Sequence, residues 1–325
     1  MKYNFITIGG VTEDITFYTD EGVLIDNKKD LTRQKLLAFE YGAKVKIDKS
    51  FSGFGGGAAN VAVSLANLGF KTACLAAISE DIRGQRILAN LKKYKVEIAL
   101  MQKIKNIETG FSFLLVGPAN EHIVFSNRAA NDKLLITNYE LEIIKAADWI
   151  FITSLSGDWQ SNLDKIFSIE NKKIAWNPGH RQILAGLEKL RKYLNKTTCL
   201  IVNKDEAIEL VMSDKKYKTK SRVFLNNVKN LLLVLASYGA RIVVITGGRE
   251  GTNVIFENKI YYQPIIKEKQ RDTTGVGDAF GSAFVAGLKL YNLDIKKSLI
   301  LASENASSVV STPGAQNGLL NKKDI

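Results

Sequence analysis

The residues with the clearest chemical potential run Arg271-Asp272-Thr273-Thr274-Gly275-Val276-Gly277-Asp278. A Gly-X-Gly loop stands directly before an aspartate. Phe280, Phe284 and Leu288 then recur at the spacing of a helix. A helix start leaves backbone N–H groups without intrahelical partners and carries partial positive charge. Glycines let that backbone approach a ligand closely. The combination suits a phosphate, or a phosphoryl group in transfer, with Asp278 as a candidate base beside it. Read alone, Asp278 is equally a helix N-cap.

A second glycine cluster, Gly53-Phe54-Gly55-Gly56-Gly57-Ala58-Ala59-Asn60, precedes a helix that Gly69 can end. As a dinucleotide fingerprint it matches only in the variant with alanine at position 58. It also follows a long irregular region rather than the first strand. Asn60 is the sharper clue: its amide can both donate to and accept from a polyhydroxyl ligand, or it can cap the helix.

These loops need a scaffold, and the pattern supplies one. Tyr3–Ile8, Thr72–Ile78, Trp149–Thr153, Lys173–Trp176, Cys199–Val202 and Arg241–Thr246 read as buried strands. Helices are expected near 58–68, 81–94, 138–146, 158–169, 180–193, 204–212, 221–238, 278–291 and 294–310. The alternation predicts a mostly parallel sheet with helices on both faces. Two regions interrupt it. Residues 11–52 are irregular, with a strand expected around Ala43–Ile47. Residues 107–127 read as a hairpin turning at Gly117-Pro118-Ala119-Asn120. Strands inserted at these places suggest a small β lid over the sheet.

Composition narrows the classes. The 325 residues are 46% hydrophobic, which is ample for a large core. No apolar run is long enough for a membrane span, and the first residues read as a strand rather than a signal peptide. Cys74 and Cys199 lie in apolar surroundings, as free thiols do in a reducing cytoplasm, where the protein is expected. The net charge is +12, yet the lysines are scattered, as in Asn171-Lys172-Lys173 and Lys215-Lys216-Tyr217-Lys218. Without a basic stripe interleaved with aromatics, no specific nucleic-acid partner is expected, and the charge favours anionic substrates such as nucleotides. With only two histidines, His122 and His180, a His-rich metal centre or a Ser-His-Asp triad is disfavoured.

Taken together, the two glycine clusters resemble the two signatures of the ribokinase, or PfkB, family of carbohydrate kinases. Gly55-Gly56-Gly57-Ala58-Ala59-Asn60-Val61-Ala62 through Leu68-Gly69 is similar to the first, and Asp272 through Phe280 to the second. Asn203-Lys204-Asp205-Glu206 resembles the family's Asn-X-X-Glu motif. Thr246-Gly247-Gly248-Arg249-Glu250-Gly251 is similar to its nucleotide loop, and Pro313-Gly314-Ala315 to its closing Gly-Ala. The order is the family's, and the resemblance covers almost the whole chain.

The resemblance implies a three-layer α/β/α Rossmann-like ribokinase fold, one domain over 1–325, with a small β-sheet lid formed by roughly 11–52 and 107–127. It implies ATP-dependent phosphorylation of a hydroxyl, commonly a hydroxymethyl, on a sugar or nucleoside, and often a homodimer through the lid. Asp278 then matches the general base, and Gly275, Val276 and Gly277 the anion hole. Asp14, Gly55, Gly56 and Asn60 match the substrate side. Arg128, in Asn127-Arg128-Ala129-Ala130-Asn131-Asp132, would reach an acidic or phosphorylated sugar. Asn203, Thr246, Gly248, Gly251 and Asn305 match the nucleotide side. Glu206 would organise Mg2+ through water, and Asp272 and Thr274 would hold a monovalent cation such as K+.

The chemistry agrees: phosphoryl transfer needs an in-line acceptor oxygen, positive groups on the phosphoryl oxygens and a metal at the phosphates. Ser79-Glu80-Asp81-Ile82-Arg83-Gly84 departs from the family's Gly-Asp-Asp-X-X-Gly, and its Asp81 and Gly84 read as structural. Val276 replaces a commoner alanine but keeps the backbone N–H. A nucleoside kinase is the nearest alternative, with Phe17, Phe51 and Phe113 available either to stack on a base or to form lid core. A catalytically silent sugar- or nucleotide-binding protein is the alternative of another class, and intact Asp278, Gly275 and Gly277 argue against it. A nicotinamide-dependent oxidoreductase is disfavoured by the imperfect fingerprint.

Overall fold

A computed structural model describes residues 2–31, 35–117 and 122–325. Among these the strands, in chain order, are β1 Phe5–Ile8, β2 Thr12–Tyr18, β3 Val23–Asp26, β4 Lys35–Ala38, β5 Lys49–Gly55, β6 Thr72–Leu75, β7 Ala77–Ser79, β8 Gln102–Ile104, β9 Phe111–Val116, β10 His122–Asn127, β11 Trp149–Ile152, β12 Lys173–Trp176, β13 Cys199–Asn203, β14 Ile242–Thr246, β15 Thr252–Phe256 and β16 Lys259–Gln263. The helices are α1 Gly57–Asn67, α2 Ile82–Lys93, α3 Asn138–Ala146, α4 Trp159–Phe167, α5 His180–Ala185, α6 Leu187–Leu194, α7 Lys204–Ser213, α8 Arg222–Asn226, α9 Val228–Ser237, α10 Val276–Leu290 and α11 Ile295–Val310.

Strand alternation builds the layers. In β1, β11, β13 and β14, Phe5, Trp149, Phe151, Cys199, Ile201, Ile242 and Val244 face one side, against Val61 of α1, Phe284 of α10 and Leu299 of α11. Their neighbours Ile6, Ile8, Ile150, Ile152, Leu200, Val202, Val243 and Ile245 face the other, against Ile144, Leu163, Leu190, Ile208 and Leu232 of α3, α4, α6, α7 and α9. Buried on both faces, these strands read as continuous apolar runs. The sheet order is β16-β15-β14-β13-β12-β11-β1-β6, parallel from β6 to β14. β1 pairs with β11 on one side and β6 on the other, so the order reverses there. The crevice at the carboxyl ends of strands flanking such a reversal is where open α/β sheets bind ligands.

The lid is a second sheet, β10-β9-β2-β5, with the separate hairpin β3–β4 beyond it. Its root is tied to α2. Glu13 of β2 pairs with Arg86 at 3.0 Å and Arg83 at 3.5 Å. Asp81, the N-cap of α2, accepts from the amides of Gly84 and Thr109, each at 2.8 Å, which makes it the structural residue expected.

Several expectations need correction. Ala43–Ile47 forms no strand; pairing with β2 begins only at Lys49, and the earlier residues have no partner strand. The 72–78 strand divides at Ala76, because β7 leaves the main sheet to pair with β8. The long helices expected over 180–193 and 221–238 break at Gly186, whose φ is 83°, and at Asn227, which caps α9. The hairpin β15–β16, whose first strand runs antiparallel to β14, has no counterpart among the expected strands. The turn expected at 117–120 lies, for residues 118–120, outside the described residues. Cys74 and Cys199 are buried free thiols, and burial pushes the Cys74 thiol up to about 12. Among the described residues no helix is long and apolar enough to cross a membrane.

Candidate active site

Gly275 turns the chain into α10 with φ 74°, in the left-handed region that disfavours side chains. A Cβ there would also lie 2.4 Å from the Ala315 Cβ, so the loop and the segment 313–316 are packed as one unit. Among the described residues, the amides of Gly275, Gly277 and Asp278 donate to no protein atom. They are the free first-turn donors that an anion can take. Asp278, in that first turn, opens onto a cavity yet sits deep in the protein. Burial, above all, pushes its carboxyl up to about 6; the Asn60 amide, donating at 2.8 Å, opposes this, and the negative charge of Asp14 adds to it. A carboxyl poised near neutral pH is what a general base needs.

The cavity encloses about 250 Å³ between the sheet's switch point and the lid. Asp278 and Gly275 form its floor, and Asp14, Ser112, Leu114 and Val124 come from the lid strands. Register explains the roof: Asp14 of β2 lies opposite Ser112 of β9, and Leu114 opposite Val124 of β10. Burial raises the Asp14 carboxyl, and the Thr12 and Ser112 hydroxyls pull it partly back. Gly55 is required beside it, since a Cβ would fall 1.8 Å from the Asp14 carboxylate. Two buried atoms facing this region, Asp14 Oδ1 and Thr274 Oγ1, have no hydrogen-bond partner among the described residues. Buried polar groups are almost always paired, so two orphans on one cavity mark places for ligand atoms. Arg128 also lines it, and among the described residues its guanidinium makes no ion pair or hydrogen bond.

The residues expected to serve a nucleotide lie further along the sheet, at the ends of β13 and β14. Asn203 and Glu206 form a reciprocal capping box at the start of α7, each accepting the other's amide at 2.8 Å. Burial, then the nearby Glu209, Asp205 and Asp278, raise the Glu206 carboxyl to about 7, against the Asn203 amide. Among the described residues no three His, Cys, Asp or Glu side chains converge to hold a metal ion directly, so a cation at Glu206 would have to keep its water shell. Thr246 ends β14, Gly248 is exposed and Gly251 starts the return to β15. Lys204 closes the corner on Glu250 at 2.7 Å. Asp272 accepts from Thr274 and Gly314 amides, each at 2.8 Å, which bends the loop before Gly275. With the orphaned Thr274 hydroxyl this donor set suits a monovalent cation.

Asn305 is misplaced by the sequence reading. It is fully buried, donating to Ala279 O at 2.8 Å and accepting from the Leu320 amide at 2.9 Å. It ties α10 to α11 and the C-terminal segment, with both ends of its amide engaged inside the protein. Phe17 and Phe113 stack 5.8 Å apart on the lid face opposite Asp14, and none of the described residues lining the cavity is aromatic. The sequence reading also missed Ser112 and Gln316. Strand alternation from Asp14 and the hairpin could have pointed to Ser112. Gln316 donates to Asn60 Oδ1 at 3.0 Å, and no local pattern marks it.

Comparison with known proteins bears on this arrangement. The ribokinase of Bacillus subtilis is 27% identical over 278 residues, covering 83% of this chain and 86% of the relative. The ATP-dependent ribose-1-phosphate kinase of Halopiger xanaduensis is 24% identical over 263 residues, covering 81% and 82%. The nucleoside kinase of Burkholderia thailandensis, solved in complex with inosine, superposes with a TM-score of 0.79 at 16% identity, covering 98% of this chain and 95% of that one. That likeness shows the fold. Residues 28–322 match the pfkB family of carbohydrate kinases. With a mostly parallel sheet, a β lid and a carboxylate at an anion-binding helix start, the chain belongs to that family, and its activity is phosphoryl transfer from ATP to an alcohol.

Proposed function

We propose that the acceptor is a small sugar bearing a negative group, phosphorylated at a hydroxyl held against Asp278. The observation that carries this reading is the cavity itself. Asp278, Gly275, Asp14 and Arg128, whose guanidinium has no partner among the described residues, line one cavity of about 250 Å³. Asp14 would hold sugar hydroxyls, with Asn60, Gly55 and Gly56 shaping the wall. Arg128 would pair with a phosphate or carboxylate, for which a guanidinium is well suited.

As the acceptor oxygen bonds to phosphorus, its proton passes to the Asp278 carboxylate and the bond from phosphorus to the β-phosphate oxygen breaks, releasing ADP. The amides of Gly275 and Gly277 would face the negative charge that gathers on the transferring group, while the Val276 amide, expected to join them, donates to Thr273 O at 3.4 Å. ATP would lie along Asn203, Thr246, Gly248 and Gly251. Glu206 would hold, through water, the Mg2+ that neutralises the phosphate oxygens; Asp272 and Thr274 would hold K+. No described residue lining the cavity is aromatic, which favours a sugar over a nucleoside. Ile123 and Phe125 are exposed on the lid's outer face beside Phe17 and Phe113, and this supports pairing of two lids in a homodimer. The buried thiols support a cytoplasmic setting.

ADP release with ATP and magnesium, measured across neutral pentoses and hexoses, phosphosugars, keto-deoxy sugar acids and ribonucleosides, tests the reading. Anionic sugars should turn over best. Turnover confined to ribonucleosides would overturn the sugar assignment, and no turnover with any acceptor would leave a binding protein.

A further inference from the structure

Behind Asp278 runs a chain of side-chain amides that takes no direct part in the transfer step. Asn60 Nδ2 donates to Asp278 Oδ2 at 2.8 Å. Gln316 Nε2 donates to Asn60 Oδ1 at 3.0 Å, and Asn90 Nδ2 of α2 donates to Gln316 Oε1 at 2.7 Å. Asn60 and Gln316 are buried, 6% and 7% exposed, while Asn90 is half-buried at the outer end.

The polarity of this chain is forced from its inner end. An ionised carboxylate only accepts, so Asn60 must turn its NH2 to Asp278 and its carbonyl away. Gln316 must then donate to that carbonyl, and its own carbonyl needs a donor, which Asn90 supplies. Flipping any one amide would set oxygen against oxygen or NH2 against NH2 at its contacts. Without Gln316, Asn60 could rotate by half a turn with little change of shape and present its carbonyl to the base. Gln316 is itself held firmly. Ala315 underlies Gly275, and Gly314 donates to Asp272 at 2.8 Å.

We infer that Gln316, backed by Asn90, is a positioning residue for the transfer reaction, fixing the Asn60 amide so that it donates to Asp278 and holds the base ionised and aimed at the acceptor. The inference rests on the assignment of Asp278 as base. Hydrogen bonds to the charged form of an acid favour that form, so loss of the relay should make Asp278 harder to ionise. Asp14 on β2 and Glu206 on α7 also act on Asp278 electrostatically, and Arg128 lines the same cavity. None of them changes in the amide variants, so differences report the amides.

The test compares wild type with Gln316→Met, which keeps length and removes both polar ends, and with Asn90→Leu at the far end. Gln316→Met should lower kcat about tenfold, the scale of one hydrogen bond to a charged group, with KM for ATP and sugar changed less than about twofold. Its acid limb of kcat should move to higher pH. Asn90→Leu should show the same pattern at about two- to threefold, and Gln316→Met should add nothing in an Asn60→Ala background. Additive losses, or an unmoved acid limb with a folded Gln316→Met protein, would overturn the proposal. If Gln316→Met does not fold, Asn90→Leu carries the same comparison. If wild type phosphorylates no acceptor, the kinase reading fails separately. The relay is then read from carboxyl carbon NMR titration of Asp278 in wild type and Asn90→Leu. A midpoint higher in the variant supports it, and identical midpoints sink it.

Discussion

The acceptor side and the nucleotide side of this site are built differently. On the acceptor side, Asp14, Asn60 and Asp278 converge from a lid strand, a helix start and a second helix start, and Gly55 leaves no room for a side chain beside Asp14. On the nucleotide side, Asn203, Gly248, Arg249 and Glu250 are exposed, and a Cβ at Gly248 would touch nothing within 4 Å. Buried, orphaned groups discriminate strongly, because the wrong ligand leaves them unpaired. An open shelf of backbone and caps would hold only what every ATP offers. Selectivity should therefore reside under the lid, and tolerance at the ends of β13 and β14.

The largest effect expected from breaking this contrast is at the base. Asp278→Asn should lower kcat by about 10² to 10⁴-fold with ATP affinity nearly unchanged, as measured by single-turnover kinetics and nucleotide titration. Near-normal turnover would remove Asp278 from its role. Gly275→Ala, forced against Ala315, should cost about 10²-fold in kcat through misdirected amides. Arg128→Gln should reduce kcat/KM about 10- to 100-fold for a phosphorylated or acidic sugar while sparing neutral ones. Equal losses on both would take Arg128 out of substrate selection. Lys204→Met, which cuts the tie to Glu250, should move KM for ATP by no more than about threefold, because a partly exposed pair contributes little.

Acid sharpens the same contrast. The Asp278 carboxyl is raised from 3.8 to about 6, so kcat should fall as pH drops below about 6. For stability the sign is opposite to that of a paired aspartate. The protonated side chain suits its buried place, and that contribution is full below about pH 4 and is lost as pH rises through about 6. Asp278→Asn should therefore melt above wild type, by a margin that widens between those two values in calorimetric scans. A constant margin would show that the carboxyl titrates normally.

Legibility in the sequence followed the range over which the signal acts. Gly275 through Asp278 and Gly55 through Asn60 are contiguous, and helix starts and close approaches leave local traces. The parallel strands were readable because burial on both faces gives unbroken apolar runs. Asn305 was assigned from the family resemblance, which places it on α11 but does not reveal that it packs against Ala279 and Leu320. The relay was invisible. Its three contacts join residues 218, 256 and 226 positions apart, and an amide that orients another amide leaves no periodicity. In the β15–β16 hairpin, β15 is buried, but β16 is the largely exposed strand at the sheet edge, where the apolar signal fades.

Cys74 and Cys199 are sealed within the sheet core and lack ready thiolates, so this chain offers a silent background for site-directed labelling. A single thiol introduced at fully exposed Tyr41, in the lid segment between β4 and β5, would take a fluorophore or spin label alone. Movement of the lid over a filled site could then be followed in the otherwise native protein, with both natural cysteines left in place.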